Sequence, residues 1–364
     1  MSRNLIVCCD GTANEFARDK TNVLKLAYAA DKGTDQLLYY HPGVGTMAPA
    51  GLFTRIGQKI AVYAGLAFGY GLKSDLRDAY TFIMDHYQPG DQLYVFGFSR
   101  GAYTARALVA LIGRYGLLSP GNAALVPYAI RLLWSAHEAK DDRASEWFRL
   151  AAEFKAALSI GECKPRFLGL WDTVSSVGWI ANPLSLPDTA KLPGVQSIRH
   201  AVSIDERRSF FRTNLVFRDP DRDIQEIWFP GDHSDIGGGH SEPVSGLSKL
   251  TLEWMIAEAE KAGMRFDPDR VAKVLGKTSD ADARPDPKAA MHDQLWPVWW
   301  VAEFVPKKHW DKTTGRTRWR VNLFRRRHFS DAPVVDDSAW LRGEHYALRL
   351  PQDAVKRSDV TAAK

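Results

Sequence analysis

The chain has 364 residues, a formal net charge of +5 and 45% hydrophobic residues, which excludes a disordered or fibrous protein. Three cysteines cannot form a disulfide framework, and no apolar run reaches the roughly 18 residues of a membrane-spanning helix. The apolar stretch near residue 5 is too short for a signal peptide, so we expect a cytoplasmic protein, with signal-independent secretion as an open route.

Short apolar runs alternate with amphipathic segments along most of the chain. Six of these runs predict strands, at residues 5–9, 37–40, 92–97, 166–171, 198–204 and 225–229. Helical spacing predicts helices at residues 21–30, 74–86, 101–115 and 250–262, with two further helices within 121–158. This alternation indicates an α/β fold, with a mostly parallel sheet covered by helices on both faces.

The sequence around Ser99 contains the first candidate for chemistry. Residues 97–101, Gly-Phe-Ser-Arg-Gly, match the G-x-S-x-G pattern, in which a sharp strand-to-helix turn exposes a nucleophilic serine. The structural alternative is a glycine-rich turn with a capping serine. We favour the nucleophile because a predicted strand precedes the pentapeptide and a predicted helix follows it, which is the context that the motif requires.

A nucleophilic serine needs a histidine base and an acid that orients it, and hydrolases of this kind present them in the order Ser, acid, His. His233 is the preferred base because it follows a predicted strand and lies in a glycine-rich loop, and His240 is its competitor. Asp172 closes the fourth predicted strand and Asp205 closes the fifth. We favour Asp172 as the acid and keep Asp205 as the alternative.

An acyl-transfer serine also requires an oxyanion hole. The N–H of Arg100, directly after the serine, is one expected donor, and the N–H of Gly11, in the turn after the first strand, is the other. Asp10 in the same turn and Asp235 beside the candidate base are treated as accessory residues. This mechanism requires neither a metal nor an organic cofactor.

Two other kinds of hydrolase match parts of the sequence. The first strand leads into a motif similar to the Asp-x-Asp-Gly-Thr signature of haloacid-dehalogenase-type phosphatases, but Cys8 stands where that chemistry needs an aspartate. A metal-dependent hydrolase could use Asp10, His233, Asp235 and His240, since mixed His and Asp ligands suit zinc or manganese. Because no HExxH-like helix supports a metal site, the serine mechanism is preferred.

Basic residues concentrate in the segment 307–327. This segment contains nine lysines and arginines against one aspartate, interleaved with Trp310, Trp319 and Phe324. Its charge is therefore +8, which leaves −3 for the rest of the chain. Alternation over residues 316–324 favours a β-hairpin with a charged outer face. The alternative is an anion-binding protein that uses this segment to bind phosphates of lipid headgroups or nucleic acid.

Seven segments of the sequence carry a shared pattern, namely residues 9–12, 40–46, 89–91, 95–106, 169–174, 200–208 and 230–239. Together they resemble one family, the uncharacterised α/β-hydrolase domain family that includes the catalytic domain of type VI secretion phospholipase effectors of the Tle1 type. The resemblance spans about residues 3–265 and implies a bacterial, effector-like ester hydrolase, similar to lipases and phospholipases. By position, the family's Ser-Asp-His triad falls on Ser99, Asp172 and His233.

These observations predict two regions. Residues 1–270 are expected to form an α/β-hydrolase-like catalytic domain, with a helical insertion at about 120–160 that could serve as a lid. Residues 271–364 are expected to form a linker and an aromatic and basic cap, with a frayed end over the last dozen residues. The expected substrate is a small-molecule or lipid ester, the cap could contact an anionic membrane surface, and nucleic acid is not an expected partner.

Overall fold

The computed structural model contains one eight-stranded sheet with helices on both of its faces. The structure describes residues 2–11, 19–43, 68–138, 144–174, 178–179, 182–183, 186–209, 211–295, 300, 303–304, 306–311 and 316–362. The strands are β1 (Asn4–Cys9), β2 (Gln36–His41), β3 (Gln92–Phe98), β4 (Phe167–Trp171), β5 (Gly178–Trp179), β6 (Asn182–Pro183), β7 (Ser197–Ser203), β8 (Asp223–Phe229), β9 (Lys307–Asp311), β10 (Arg316–Arg320), β11 (Val334–Val335) and β12 (Val355–Lys356). The helices are α1 (Asn22–Ala29), α2 (Phe68–His86), α3 (Arg100–Tyr115), α4 (Val126–Glu138), α5 (Ala144–Leu158), α6 (His233–Gly237), α7 (Gly246–Lys261), α8 (Pro268–Val274), α9 (Ser338–Leu341), α10 (Glu344–Ala347) and α11 (Arg357–Ala362).

The main sheet has the strand order β12-β11-β8-β7-β4-β3-β1-β2. Every neighbouring pair in it is parallel, which confirms the predicted α/β class and the six predicted strands. Because parallel strands all end at the same edge, the loops after β1, β3, β4, β7 and β8 meet there. Ligand and catalytic sites of open parallel sheets occupy this edge.

The buried strands alternate their side chains between two apolar layers. In β1, Val7 packs in the same cluster as Leu108 of α3, whereas Ile6 packs on the opposite face in the same cluster as Leu252 of α7. Each side chain buried in this way contributes about 1.5–3 kcal/mol. The near-continuous apolar sequence of β1 and β3 therefore reflects helices on both faces.

The predicted helical insertion is present as α4 and α5. Val126, Ala129 and Leu133 of α4 are buried in the same apolar cluster as Leu108. The insertion thus belongs to the helical layer on one face of the sheet, because its apolar side chains already have core partners. These buried contacts argue against the expected role as a lid.

The segment after residue 270 contributes to the sheet. β11 pairs with β8, and β12 pairs with β11. Val335 and Tyr346 pack with Trp228 in a third apolar cluster. The expected frayed end is wrong over the part that the structure describes, because β12 and α11 occupy residues 355–362. The boundary near residue 270 remains a prediction.

The basic segment contains the predicted hairpin. β9 and β10 pair antiparallel, with Arg316 opposite Asp311 and Arg320 opposite Lys307.

None of the helices within the described ranges is long and apolar enough to cross a bilayer.

Candidate active site

Ser99 stands on a strained turn between β3 and α3. Its backbone has φ 59° and ψ −121°, a conformation that a residue with a side chain adopts only when its surroundings enforce it. The two motif glycines allow the close approach that the turn requires. A Cβ at Gly101 would lie 2.2 Å from the carbonyl oxygen of Cys9, and one at Gly97 would lie 2.4 Å from that of Gly101. The sequence motif is thus matched by a tight strand-turn-helix geometry.

His233 links Ser99 to Asp172 through both of its ring nitrogens. Its Nε2 lies 2.8 Å from Ser99 Oγ, and its Nδ1 lies 2.5 Å from Asp172 Oδ2. All three residues are buried. Phe98 and Phe211 contact the imidazole with ring centroids at 4.6 and 4.7 Å, so the ring is held in the orientation that serves both hydrogen bonds.

A capping box fixes the short helix that begins with His233. The Asp232 side chain accepts the N–H groups of Ser234 and Asp235, and Asp235 Oδ2 accepts the N–H of Asp232 at 3.1 Å. These bonds satisfy donors that a helix start leaves without partners. The two aspartates beside the candidate base therefore set its backbone position, and neither one contacts its imidazole as an orienting acid.

Asp172 is fully buried, and three kinds of donor surround its carboxylate. Ser203 N–H donates to Oδ1 at 2.9 Å, and His233 bonds Oδ2. Arg327 donates Nη1 to Oδ1 at 2.5 Å and Nη2 to Oδ2 at 3.0 Å. Burial alone would raise the pKa of Asp172, but the Arg327 charge and the His233 hydrogen bond outweigh it and hold the pKa well below its usual range. The carboxylate is consequently charged under physiological conditions.

Arg327 and Glu206 are site residues that the sequence reasoning missed. Arg327 was counted in the basic segment, yet its side chain is only 6% exposed and also donates to the Phe211 carbonyl at 2.7 Å. Glu206 Oε2 accepts the N–H of His233 at 3.3 Å, and Arg208 neutralises Glu206 in a 2.7 Å ion pair. The only sequence feature that points to Glu206 is its place within residues 200–208, one of the segments that carry the family resemblance. The sequence has no signal that distinguishes Arg327 from its basic neighbours.

Asp205, the alternative acid, lies in a different network. Its Oδ2 accepts the Tyr346 hydroxyl at 2.6 Å and the Gly231 N–H at 2.9 Å, and its Oδ1 accepts Arg349 Nη2 at 2.8 Å. These contacts attach the C-terminal part of the chain to the loop before α6. The structure brings Asp172, and not Asp205, to His233.

The two expected oxyanion donors differ in their surroundings. Arg100 is the first residue of α3, so its N–H belongs to the helix start directly after Ser99. The N–H of Gly11 instead donates to Asp10 Oδ1 at 2.7 Å. Asp10 Oδ2 accepts the hydroxyls of Thr21 and Tyr40. Asp10 therefore organises the turn after β1, and it occupies the amide that was expected to serve the substrate.

The residues of the metal-hydrolase alternative do not assemble into one site. Asp10 lies in the hydroxyl network after β1, and both ring nitrogens of His233 are engaged by Ser99 and Asp172. Among the described residues, the only group with metal-binding spacing combines Asp235 and His240 with His292, which excludes the candidate base.

The chain is similar to several known proteins. The chain is 28% identical over 400 aligned positions to the uncharacterized protein YEL023C of Saccharomyces cerevisiae, covering 74% of this chain and 58% of that protein. The chain thus spans less than two thirds of the relative that it matches.

The solved structures to which the chain is similar include the following two. A crystal structure of an uncharacterized protein from Pseudomonas aeruginosa is 22% identical, covers 76% of this chain and 49% of the other, and has a TM-score of 0.47. The Tle1 effector bound to the VgrG spike from the type 6 secretion system is 18% identical, covers 68% and 52%, and has a TM-score of 0.36. The model of the catalytic domain of Tle1-like phospholipase effectors of the type VI secretion system matches residues 3–258. The chain belongs to this Tle1-like catalytic domain family.

Proposed function

We propose that the protein is a serine hydrolase of carboxylic esters, acting on acyl esters of lipids or phospholipids through Ser99, His233 and Asp172. Membership in a family of phospholipase effector catalytic domains supports a hydrolase role. The observation that carries the proposal is the continuous hydrogen-bonded path from Ser99 Oγ through both nitrogens of His233 to Asp172. Acyl transfer by a serine requires these three groups in this order.

The reaction begins when Ser99 Oγ attacks the ester carbonyl carbon and His233 Nε2 takes the hydroxyl proton. Asp172 stabilises the imidazolium that forms, since its carboxylate remains charged beside Nδ1. The tetrahedral intermediate then expels the alcohol, which receives the proton from Nε2. Water, deprotonated by the same nitrogen, attacks the acyl-enzyme, and collapse releases the carboxylic acid and returns the proton to Ser99.

The oxyanion of each tetrahedral intermediate requires donors beside Ser99. The Arg100 N–H is well placed because it opens the helix that follows the nucleophile, where the helix dipole also favours negative charge. The Gly11 N–H becomes a second donor only when it leaves Asp10 Oδ1. A role for Gly11 in the oxyanion hole therefore requires the Asp10 carboxylate to release this N–H.

Exposed aromatic residues and the charge of a nearby segment favour a lipid as the substrate. Trp300, Phe304 and Trp319 are each about half exposed, at 49%, 58% and 58%, and aromatic side chains of this kind favour membrane interfaces. They lie in or beside the basic segment 307–327, whose charge suits anionic headgroups. Arg327 is buried against Asp172, so the charge that this segment can offer to phosphate is smaller than the sequence suggests.

A substrate screen tests the proposed chemistry. Ser99→Ala should lower turnover of p-nitrophenyl esters and of phosphatidylglycerol vesicles by at least about 10³-fold, and a fluorophosphonate probe should label wild type at Ser99. Ser279→Ala, on the surface linker, is the matched control and should behave as wild type. Full activity in Ser99→Ala would overturn the mechanism. Turnover of soluble esters without any release of fatty acid from vesicles would refute the lipid assignment alone.

Vesicle binding tests the surface separately. Replacing Arg316, Arg318 and Arg320 with glutamine in Ser99→Ala protein should weaken sedimentation with anionic vesicles, and added salt should weaken it further. The matched control replaces exposed arginines elsewhere, at 77, 149 and 284. Equal binding to neutral and anionic vesicles would contradict a role for the basic segment.

A further inference from the structure

Three metal-ligating side chains converge beside the helix that begins with His233. Asp235, His240 and His292 each bring one ligand atom within 4.8 Å of the others. Nδ1 of His292 lies 2.7 Å from Asp235 Oδ1, and Nε2 of His240 lies 3.8 Å from the same oxygen. The two imidazole rings stack with their centroids 3.7 Å apart. Both rings thus present a nitrogen to one carboxylate oxygen.

A second buried carboxylate stands next to this cluster. Asp232 is 4% exposed, and its Oδ1 lies 3.9 Å from His240 Nε2. Its Oδ2 is buried and has no hydrogen-bond partner within the described ranges. Among the described residues, only histidines form ion pairs with Asp232 and Asp235. Two adjacent buried carboxylates without a fixed cation are costly, so the site favours a positively charged occupant.

We propose that Asp235, His240 and His292 bind a divalent transition metal, for which Zn²⁺ is the best match. Two imidazole nitrogens and one carboxylate oxygen suit zinc, whereas magnesium and calcium favour oxygen ligands alone. In a tetrahedral zinc site with bonds of about 2.0–2.1 Å, ligand atoms lie about 3.3 Å apart. The observed 2.7 and 3.8 Å differ from that spacing by about half an ångström each. Because an imidazole nitrogen binds a metal in the plane of its ring, the two stacked rings must also rotate apart to face one ion.

The hydrogen bonds of Asp235 leave one oxygen suited to a metal. Its Oδ2 already accepts the backbone N–H groups of Asp232 and His292. Its Oδ1 bonds only the His292 ring among the hydrogen bonds of the described chain. For zinc to bind Nδ1, the neutral His292 ring carries its hydrogen on Nε2, so the metal takes the place of the hydrogen between Nδ1 and Oδ1. Asp232 or a water molecule would complete the tetrahedron.

The metal would act as a structural link and take no part in the proposed ester chemistry. Asp235 lies in the first turn of α6, two residues after His233, whereas His292 belongs to the segment after α8. A bound ion would therefore join that segment to the helix of the candidate base. Because the ion binds only the folded arrangement, it should raise thermal stability, and the gain should grow with the logarithm of its free concentration above Kd.

Metal binding to chelator-stripped, full-length protein tests the proposal. Titration with Zn²⁺ should saturate at one equivalent and raise the melting temperature, and Co²⁺ should give the intense visible absorption of a tetrahedral site. His240→Ala and His292→Ala should each weaken zinc binding more than about 100-fold, beyond the 10- to 100-fold typical of outer partners.

The controls separate this cluster from the other histidines. His345→Ala, an exposed histidine of α10, should bind zinc as wild type does. If His292→Ala fails to fold because it loses the bond to Asp235, His240→Gln still tests the site, since the hydrogen bonds of the described chain include only one weak contact of that ring, at 3.5 Å to Gln294. Wild-type affinity in the folded His240 variants would overturn the proposal, and so would the lack of a tetrahedral cobalt spectrum in wild type.

Discussion

Replacing Arg327 with glutamine should destabilise the protein most near neutral pH and least in acid. Arg327 donates Nη1 to Asp172 Oδ1 at 2.5 Å and Nη2 to Oδ2 at 3.0 Å. Burial alone would raise the pKa of Asp172, but the Arg327 charge is the largest of the influences that hold it below its usual range. Breaking a buried ion pair of this kind costs about 3 kcal/mol of unfolding free energy.

The sign follows from the charge of the guanidinium. The pKa of Asp172 in the folded protein lies below that of an unfolded aspartate, so the stability that this carboxylate contributes is present above about pH 4 and is lost as the pH falls below that value. Without Arg327 the folded-state pKa of Asp172 rises, so this contribution is smaller. We therefore expect the unfolding free energies of wild type and Arg327→Gln to differ by about 3 kcal/mol at pH 7 and by less as the pH falls below about 4.

Urea unfolding of both proteins over a series of pH values, recorded with a chelator present, tests this reasoning. Arg326→Gln is the matched control, since its side chain is 45% exposed and pairs with Asp205 at 3.4 Å. It should unfold nearly as wild type does at each pH. If wild type and Arg327→Gln differ by the same unfolding free energy at pH 7 and in acid, Arg327 does not act through the charge of Asp172 and the electrostatic reasoning is refuted.

Two further predictions concern the turn and the choice of acid. Gly101→Ala should cost about 3 kcal/mol or more in urea unfolding, because backbone atoms at the end of β1 surround the added carbon. Gly113→Ala, later in the same helix, is the control and should cost less, because the nearest atom to its added carbon is the Pro193 carbonyl oxygen at 3.3 Å. Asp172→Asn should lower kcat on the order of 10³- to 10⁴-fold, whereas Asp205→Asn should lower the unfolding midpoint with kcat nearly unchanged, since Asp205 bonds Tyr346 and Gly231. The reverse pattern in these kinetics would exchange the roles of the two acids.

The sequence predicted the elements of the sheet because their signals are local. Alternating apolar runs and their bounding glycines depend only on neighbouring residues, and β1, β3 and β8 lie within about two residues of their predicted bounds. β11 and β12 escaped prediction because each contains only two residues. Such short strands form only when an existing edge, here β8, supplies the hydrogen bonds.

The residues of the candidate site likewise include some that a local sequence pattern identifies and some that it does not. Ser99 and His233 lie in motifs that the sequence marks, and the end of a strand marks Asp172. Which aspartate meets the histidine depends on distances across the sheet, which no local pattern contains. Arg327 could not be identified from the sequence, because a sequence does not distinguish a buried arginine from an exposed one. Arg327 also lies within a run of basic residues, which predicts an exposed side chain.

The environment of the candidate triad extends beyond the part of the chain that the family model matches. That match ends at residue 258, yet Arg327 bonds the carboxylate of Asp172. Tyr346 holds Asp205 beside the loop before α6, and His292 bonds Asp235 in that helix. These three contacts fix, in the same order, the carboxylate that bonds His233, the loop that precedes His233 and the helix that begins with it. A chain cut at residue 270 would keep the motif residues but would leave the carboxylate of Asp172 buried without its arginine. The C-terminal segment therefore stabilises the candidate active site, although the sequence predicts a separate basic cap.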